Sequence, residues 1–396
     1  MHQSARYEPL IYLIAGEQSG DVLGGRLMEA LRAARPGLRF AGVGGPRMVE
    51  QGLDPIFPMQ DLAVMGLLEV LPRIRHLRRR LLQAAEDVRA RHPDVLVTID
   101  SPGFTLRLLR LVAGADIRRV HYVAPQVWAW REHRVREFPG LWERLLCLLP
   151  FEPDFFAGHG LPATFVGHPV LQSGADRGDP ARFRATHGLA ADAKVLVLMP
   201  GSRRSEVPQL LPVFGATLAL LAERVPGLVP VVPVASAVAD TVRHAAASWP
   251  VQPIIVTELA DKHDAYAAAA AALTKSGTST LELALAGVPM AVTYRVNPLT
   301  AAIARRLIRV PHVAMVNLLA GRAAVPELLQ RDCRPARLAE TVERLLGDPA
   351  AALAQRAAFR EVAERLRAPS GTPAESAARE VLAVLADPDA QRPSVM

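Results

Sequence analysis

LIYLIAGEQSGDVLGGRLMEAL, residues 10–31, decides the fold class. It opens with an unbroken apolar run, LIYLIAG, turns at Gly16 and Gly20, and continues as an amphipathic stretch with helical spacing. An apolar run with no alternation suits a strand buried on both faces, and the helix after it covers one of them. The same unit recurs along the chain. Candidate strands are 39–45, 94–100, 118–125, 144–150 and 164–170, and then 194–202, 228–235, 253–258, 271–277 and 289–294. Between the two series lies QSGADRGDPAR (172–182), rich in polar and chain-breaking residues and the best linker candidate. From about 335 onward only helices are expected. The reading is α/β: two Rossmann-like domains, 1–172 and 183–366, with parallel sheets facing a cleft. A helical C-terminal segment, 367–396, packs back on the first domain or on a partner.

Composition excludes several classes. Of 396 residues, 50% are apolar and 21% charged, enough apolar content to offset chain entropy, so disorder is excluded. Cys147 and Cys333 are the only cysteines and share no CxxC spacing, which excludes a disulfide scaffold and fits a reducing compartment. No apolar run approaches the ~20 residues that cross a bilayer, and the first residues lack a signal peptide's pattern, so a cytoplasmic protein is expected. The eleven histidines show neither HxH nor HExxH spacing, so no metal is expected, and no other cofactor is expected.

The charge is unevenly placed. There are 46 basic residues against 39 acidic ones, a net of +7, and Lys194, Lys262 and Lys275 are the only lysines. Residues 73–136 alone hold fourteen arginines against six acids. The densest part, with Arg73, Arg75, Arg78, Arg79 and Arg80, follows an apolar stretch that includes Val64, Met65, Leu67 and Leu68. Such a pairing suits an anionic lipid surface, an acidic ligand or nucleic acid, while a solvated helix face is the plain alternative.

In open α/β sheets ligands bind beyond the carboxyl ends of the strands, so the loops there are the candidates. After the first strand, Glu17 and Asp21 fall in one turn, each suited either to capping the helix or to touching a ligand. No G-x-G-x-x-G is present. Asp100 ends the strand TID and precedes Ser-Pro-Gly; it reads as a proton acceptor or as a turn-forming aspartate. Tyr122, Trp128 and Trp130 in HYVAPQVWAW stack on a sugar or pack a wall. In the second half, Gly201, Ser202 and Arg203 form a turn expected to start a helix and grip a diphosphate. Ser276, Gly277 and Thr278 form a second such turn, and Glu282 stands one helical turn on, suited to ribose hydroxyls. A capped helix is the alternative there.

With these stretches on the page, a resemblance is specific. AGEQSGD (15–21), GVGGPRM (42–48), MGLLEVLPRI (65–74), TID (98–100), HYVAPQVWAW (121–130), LPFEPDFF (149–156), FVGHPV (165–170), LMPGSRRSEV (198–207), SGTSTLELAL (276–285) and VNLLAGRAAVPELLQ (316–330) resemble lipid-A-disaccharide synthases, in order along most of the chain. The resemblance implies a GT-B type glycosyltransferase, peripheral to the inner membrane. It would join UDP-2,3-diacylglucosamine to 2,3-diacylglucosamine 1-phosphate by a β-1,6 bond. It implies Asp100 as base, Arg203 on the diphosphate and Glu282 on the ribose, while Glu17 stands as a second catalytic candidate that either reacts or positions substrate. Asn317 and Gln330 would lie near the donor. The family's D-x-P-D-F-N turn is altered here, with Gly103 and Thr105 in place of the second acid and the asparagine. Expected partners are the two acylated sugars and an anionic membrane surface, with a homodimer compatible and nucleic acid not expected. A UDP-sugar epimerase or a peptidoglycan-type transferase would share the second-half turns.

Overall fold

The computed structural model describes residues 8–62, 67–203, 206–297, 301 and 310–387, with the backbone alone for 67–73. Val64 and Met65 therefore lie outside the described residues, as do the side chains of Leu67, Leu68 and Arg73. The chain divides into two compact units: one holds the chain to Pro169 and again from Leu366, the other Val170–Arg365.

The first unit is built on β1 (Leu10–Ala15), β2 (Arg39–Val43), β3 (Asp54–Pro55), β4 (Val95–Ile99), β5 (Arg118–Tyr122), β6 (Arg144–Cys147) and β7 (Ala163–Phe165). They lie in the order β3-β2-β1-β4-β5-β6-β7. All the pairings are parallel. Every residue of β1 and β4 is buried, as their unbroken apolar sequence requires. The C-terminal helix Pro373–Ala386 packs on the helix Gln18–Ala34 and against β4, β5 and β6. Its Ala377, Ala378 and Val381 join the core of this unit.

The second unit is built on β8 (Lys194–Met199), β9 (Leu228–Pro233), β10 (Ile254–Val256), β11 (Ala269–Lys275), β12 (Met290–Tyr294) and β13 (Glu327–Leu329). Their order is β10-β9-β8-β11-β12-β13, and all the pairings are parallel. The stretch expected as a linker is instead bound into this unit. Asp179 caps the helix Pro180–Thr186, and both its backbone N–H and the Arg182 guanidinium donate to Asp264. β3 and β13 were not expected, being edge strands of two and three residues with too little sequence to show a period.

Both sheets reverse direction of growth at one place, between β1 and β4 in the first and between β8 and β11 in the second. These are the switch points at which parallel sheets bind ligands.

One ionic feature anchors the first sheet. Arg119 on β5 is 2% exposed and its guanidinium lies 2.8 Å from Glu143, which also accepts the Arg119 backbone N–H. Removing one partner of a buried pair leaves the other charge uncompensated, at a cost of roughly 3–5 kcal/mol. Glu143→Ala is therefore expected to lower the unfolding free energy by about that much, read as a shifted urea midpoint. A change below about 1 kcal/mol would contradict the role given to the pair.

Candidate functional site

At the first switch point Ala15 of β1 pairs with Ile99 of β4, so the loops carrying Glu17 and Asp100 leave the sheet side by side. Asp100 and Ser101 both take left-handed backbone, φ 51° and 46°, and Val123 beyond β5 takes φ 79°. Such conformations are uncommon for non-glycine residues and exceptional for a β-branched one, and strain of this kind gathers at functional sites. The Thr105 hydroxyl donates to the Asp100 carbonyl at 2.7 Å and to the Ser101 carbonyl at 3.0 Å. The residue that replaces the family's asparagine thus pins the turn that presents Asp100. Gly103 is exposed, and none of the described residues comes within 4 Å of where its Cβ would lie. Burial pushes the Asp100 carboxyl above the usual carboxylate range. A raised value brings a carboxylate closer to the pKa that a general base needs near neutrality.

The two acids of the first loop separate. Glu17 occupies the N-cap of the helix Gln18–Ala34 in extended backbone, without a side-chain capping bond to that helix. Asp21, 3% exposed, does cap, but it caps another element. Its carboxylate accepts the backbone N–H groups of Gly45, Arg47 and Met48, at the start of the short helix Pro46–Glu50. AGEQSGD and GVGGPRM are therefore two halves of one joint, which sequence alone could not disclose. Glu152 makes a similar joint. It is 2% exposed and accepts from Leu148 N, Leu149 N and Trp128 Nε1, and burial pushes its carboxyl up to about 7. Trp128 is thereby held edge-on to Phe151. Trp130 remains 42% exposed, with the Arg131 guanidinium 3.9 Å from its ring centre.

At the second switch point Met199 of β8 pairs with Thr274 of β11. Gly201, Ser202 and Arg203 follow β8, but they do not start a helix. The helix begins at Val207, with Glu206 at its N-cap. Gly201 stands at φ 106°, a conformation that favours glycine, and a Cβ there would lie 2.9 Å from Lys275 Cδ. Lys275, the last residue of β11, meets Glu206 Oε2 at 2.6 Å, and Arg203 meets Glu206 Oε1 at 3.1 Å. Neither Lys275 nor Glu206 was singled out from sequence, since their meaning depends on a contact between residues far apart in the chain.

The second turn also differs from expectation. The Ser276 hydroxyl is engaged with the Val313 carbonyl at 2.8 Å, and Thr278 sits at the N-cap of Ser279–Leu285 without a side-chain capping bond. Gly277 and Thr278 are exposed. Glu282 lies in the first turn of that helix, its carboxylate 2.6 Å from Lys262 Nζ and 3.3 Å from the Tyr266 hydroxyl. Asn317 is fully buried. Its amide donates to Val325 O and Glu327 and accepts from Val325 N, so it holds the approach to β13. Asn317 also lines a pocket with His312, Glu327 and Gln355. Gln330 lies just beyond β13 at φ 50° and accepts from Val296 N at 3.4 Å.

The basic helix Leu67–Arg91 divides by direction. Arg80 is half-buried, 2.5 Å from Asp61 and over the Phe57 ring at 4.8 Å. Arg75, Arg78 and Arg79 are exposed and line an open depression of about 540 Å³ with Leu82, Gln83 and Glu86. Ile74 and Leu82 are exposed beside them. Among the described residues no helix is long and apolar enough to cross a membrane.

Sequence comparisons with known proteins point to one family. A family model described as lipid-A-disaccharide synthetase matches residues 11–381. A lipid-A-disaccharide synthase of Gluconobacter oxydans is 63% identical over 383 residues, 97% of this chain and 92% of the relative. That of Granulibacter bethesdensis is 61% identical, covering 95% of this chain and 99% of the relative. Among solved structures, the UDP-GlcNAc 2-epimerase of Neisseria meningitidis bound to UDP-GlcNAc matches with TM-score 0.62 at 12% identity, covering 96% of this chain and 99% of the other. The calicheamicin glycosyltransferase CalG4 matches with TM-score 0.57 at 19% identity, covering 96% and 98%. At such identities the structural matches speak for the fold alone.

Proposed function

The chain belongs to the lipid-A-disaccharide synthase family, and on that premise we propose that it joins UDP-2,3-diacylglucosamine to 2,3-diacylglucosamine 1-phosphate through a β-1,6 bond, releasing UDP. It is a glycosyltransferase of lipid A biosynthesis, on two parallel-sheet units of GT-B type. The observation that supports the chemistry best is the carboxylate of Asp100, half-buried at a switch point, with its turn held in strained backbone.

The reaction is a single displacement. Asp100 takes the proton of the acceptor's 6-hydroxyl while that oxygen bonds to the donor's anomeric carbon. The bond from that carbon to the diphosphate breaks, and configuration inverts from α to β. Glu17, in the neighbouring loop, orients the acceptor. In the second unit Arg203 and the backbone N–H groups of Gly201, Ser202, Gly277 and Thr278 meet the departing diphosphate. Glu282 exchanges Lys262 for the ribose hydroxyls. Gln330 supports the donor pocket from the end of β13, and Asn317 and Ser276 act by holding its loops. Release of UDP that requires both acylated sugars tests this reading; release from the donor alone, at the same rate, would point to hydrolysis or epimerisation.

Acylated substrates reside in a membrane, so the exposed arginines of the basic helix are assigned to an anionic, inner-membrane surface. Each such residue near the surface adds about 1 kcal/mol. Reversing Arg75, Arg78 and Arg79 to glutamate is expected to weaken binding to anionic vesicles by at least about a hundredfold and to remove its salt dependence. Sedimentation with vesicles of phosphatidylglycerol and phosphatidylethanolamine reads this. Unchanged binding would place the membrane contact elsewhere.

A further inference from the structure

Two of the three lysines in this arginine-rich chain stand at the carboxyl end of the second sheet, each held by a carboxylate. Lys275 is the more informative. It ends β11 at the switch point, passes beneath Gly201, and lies with Nζ 5.3 Å from the Tyr294 ring centre. Its side chain is 15% exposed and that of Glu206 is 12% exposed, whereas Arg203, on the other oxygen of Glu206, is 61% exposed. One carboxylate thus faces two cations, and the cluster retains a net positive charge beside the exposed turns at 201–203 and 277–278. Glu206 makes no side-chain capping bond to its own helix, so its structural work is to hold these cations.

We propose that Lys275 is a donor-binding residue that meets the diphosphate of the nucleotide sugar, and that Glu206 holds it in place until the diphosphate arrives. The assignment rests on the donor reading given above. A helix start at 201–203 would have supplied aligned N–H groups there, but the helix opens with an acid at its N-cap. Side-chain cations must therefore supply more of the compensating charge. The lysine's compact ammonium exchanges one anionic partner for another with little movement. As the bond to the anomeric carbon breaks, negative charge grows on the diphosphate oxygen, and a cation fixed beneath the Gly201 turn favours that state over the bound donor.

Calorimetric titration of the purified full chain with UDP, UMP and uridine tests this. Lys275→Met is expected to weaken UDP by roughly ten- to a hundredfold and leave uridine unchanged, as loss of a charged hydrogen bond to phosphate requires. Glu206→Gln keeps the lysine and removes a competing negative charge, so UDP affinity is expected to stay the same or rise. If Lys275 served only as the counter-ion of Glu206, both variants would weaken UDP alike, and uridine with it; that result overturns the proposal. So does a Lys275→Met variant with wild-type UDP affinity. If Lys275→Met fails to fold, Glu206→Gln decides alone: a tenfold loss of UDP affinity there overturns the proposal. Failure of the unaltered protein to bind UDP would overturn the donor reading itself, a result distinct from the others.

Discussion

Asp100→Asn is expected to lower turnover by roughly 10²–10⁴-fold, the range that a positioned general base contributes. The affinity for UDP is expected to remain that of the unaltered protein, because the residues proposed to bind the donor, Arg203 and Glu282 among them, lie in the second unit. Asparagine keeps the size of the side chain, and the Thr105 hydroxyl donates to the backbone carbonyls of residues 100 and 101, so those bonds survive. The pH profile gives a second readout. Burial raises the Asp100 carboxyl above its ordinary value, and the base works only when ionised. Activity therefore falls as pH drops through that raised value, and the acid limb lies at higher pH than an exposed aspartate would give. In the asparagine variant the residual activity should lose this limb. A variant that keeps more than about a tenth of the turnover would remove Asp100 from the base role.

Arg203→Ala carries the next largest effect. A preorganised donor to developing negative charge is worth about 2.7–4 kcal/mol of barrier, or roughly 10²–10³ in kcat. Arg203 is well exposed and tied to the protein by one carboxylate, Glu206, so it is free to reorient onto a bound diphosphate. The substitution should weaken UDP as well as slow the reaction, while the thermal midpoint stays within a few degrees. Unchanged UDP affinity, measured by the same titration used for Lys275, would assign the guanidinium to the protein surface instead.

The strands were legible because continuous apolar runs carry their own signature: β1, β4 and β8 begin and end within a few residues of where the sequence places them. Asp100 was legible because strand end and Ser-Pro-Gly turn coincide. Other features required the fold. Asp21 reads as a cap in sequence, but the N–H groups it satisfies belong to residues 45–48. Gly201, Ser202 and Arg203 look like the start of a helix, yet the helix begins at Val207 with Glu206 at its N-cap. Lys275 next to Ser-Gly-Thr carries no signal of its own until Glu206, 69 residues earlier, is brought within 2.6 Å of it. Arg80 is indistinguishable in sequence from Arg78 and Arg79, and only the fold shows that it meets Asp61, Gln83 and the Phe57 ring. Local patterns reveal elements; ion pairs between distant residues assign the side chains.

The most direct test of the account is the product formed by the purified chain from UDP-2,3-diacylglucosamine and 2,3-diacylglucosamine 1-phosphate. Mass spectrometry is expected to show one new species equal to the two substrates less UDP, and proton NMR is expected to show a β-configured 1,6 linkage. An α-linked disaccharide would contradict single displacement with Asp100 as base. Free diacylglucosamine or an epimerised donor, with no disaccharide, would contradict the transferase itself.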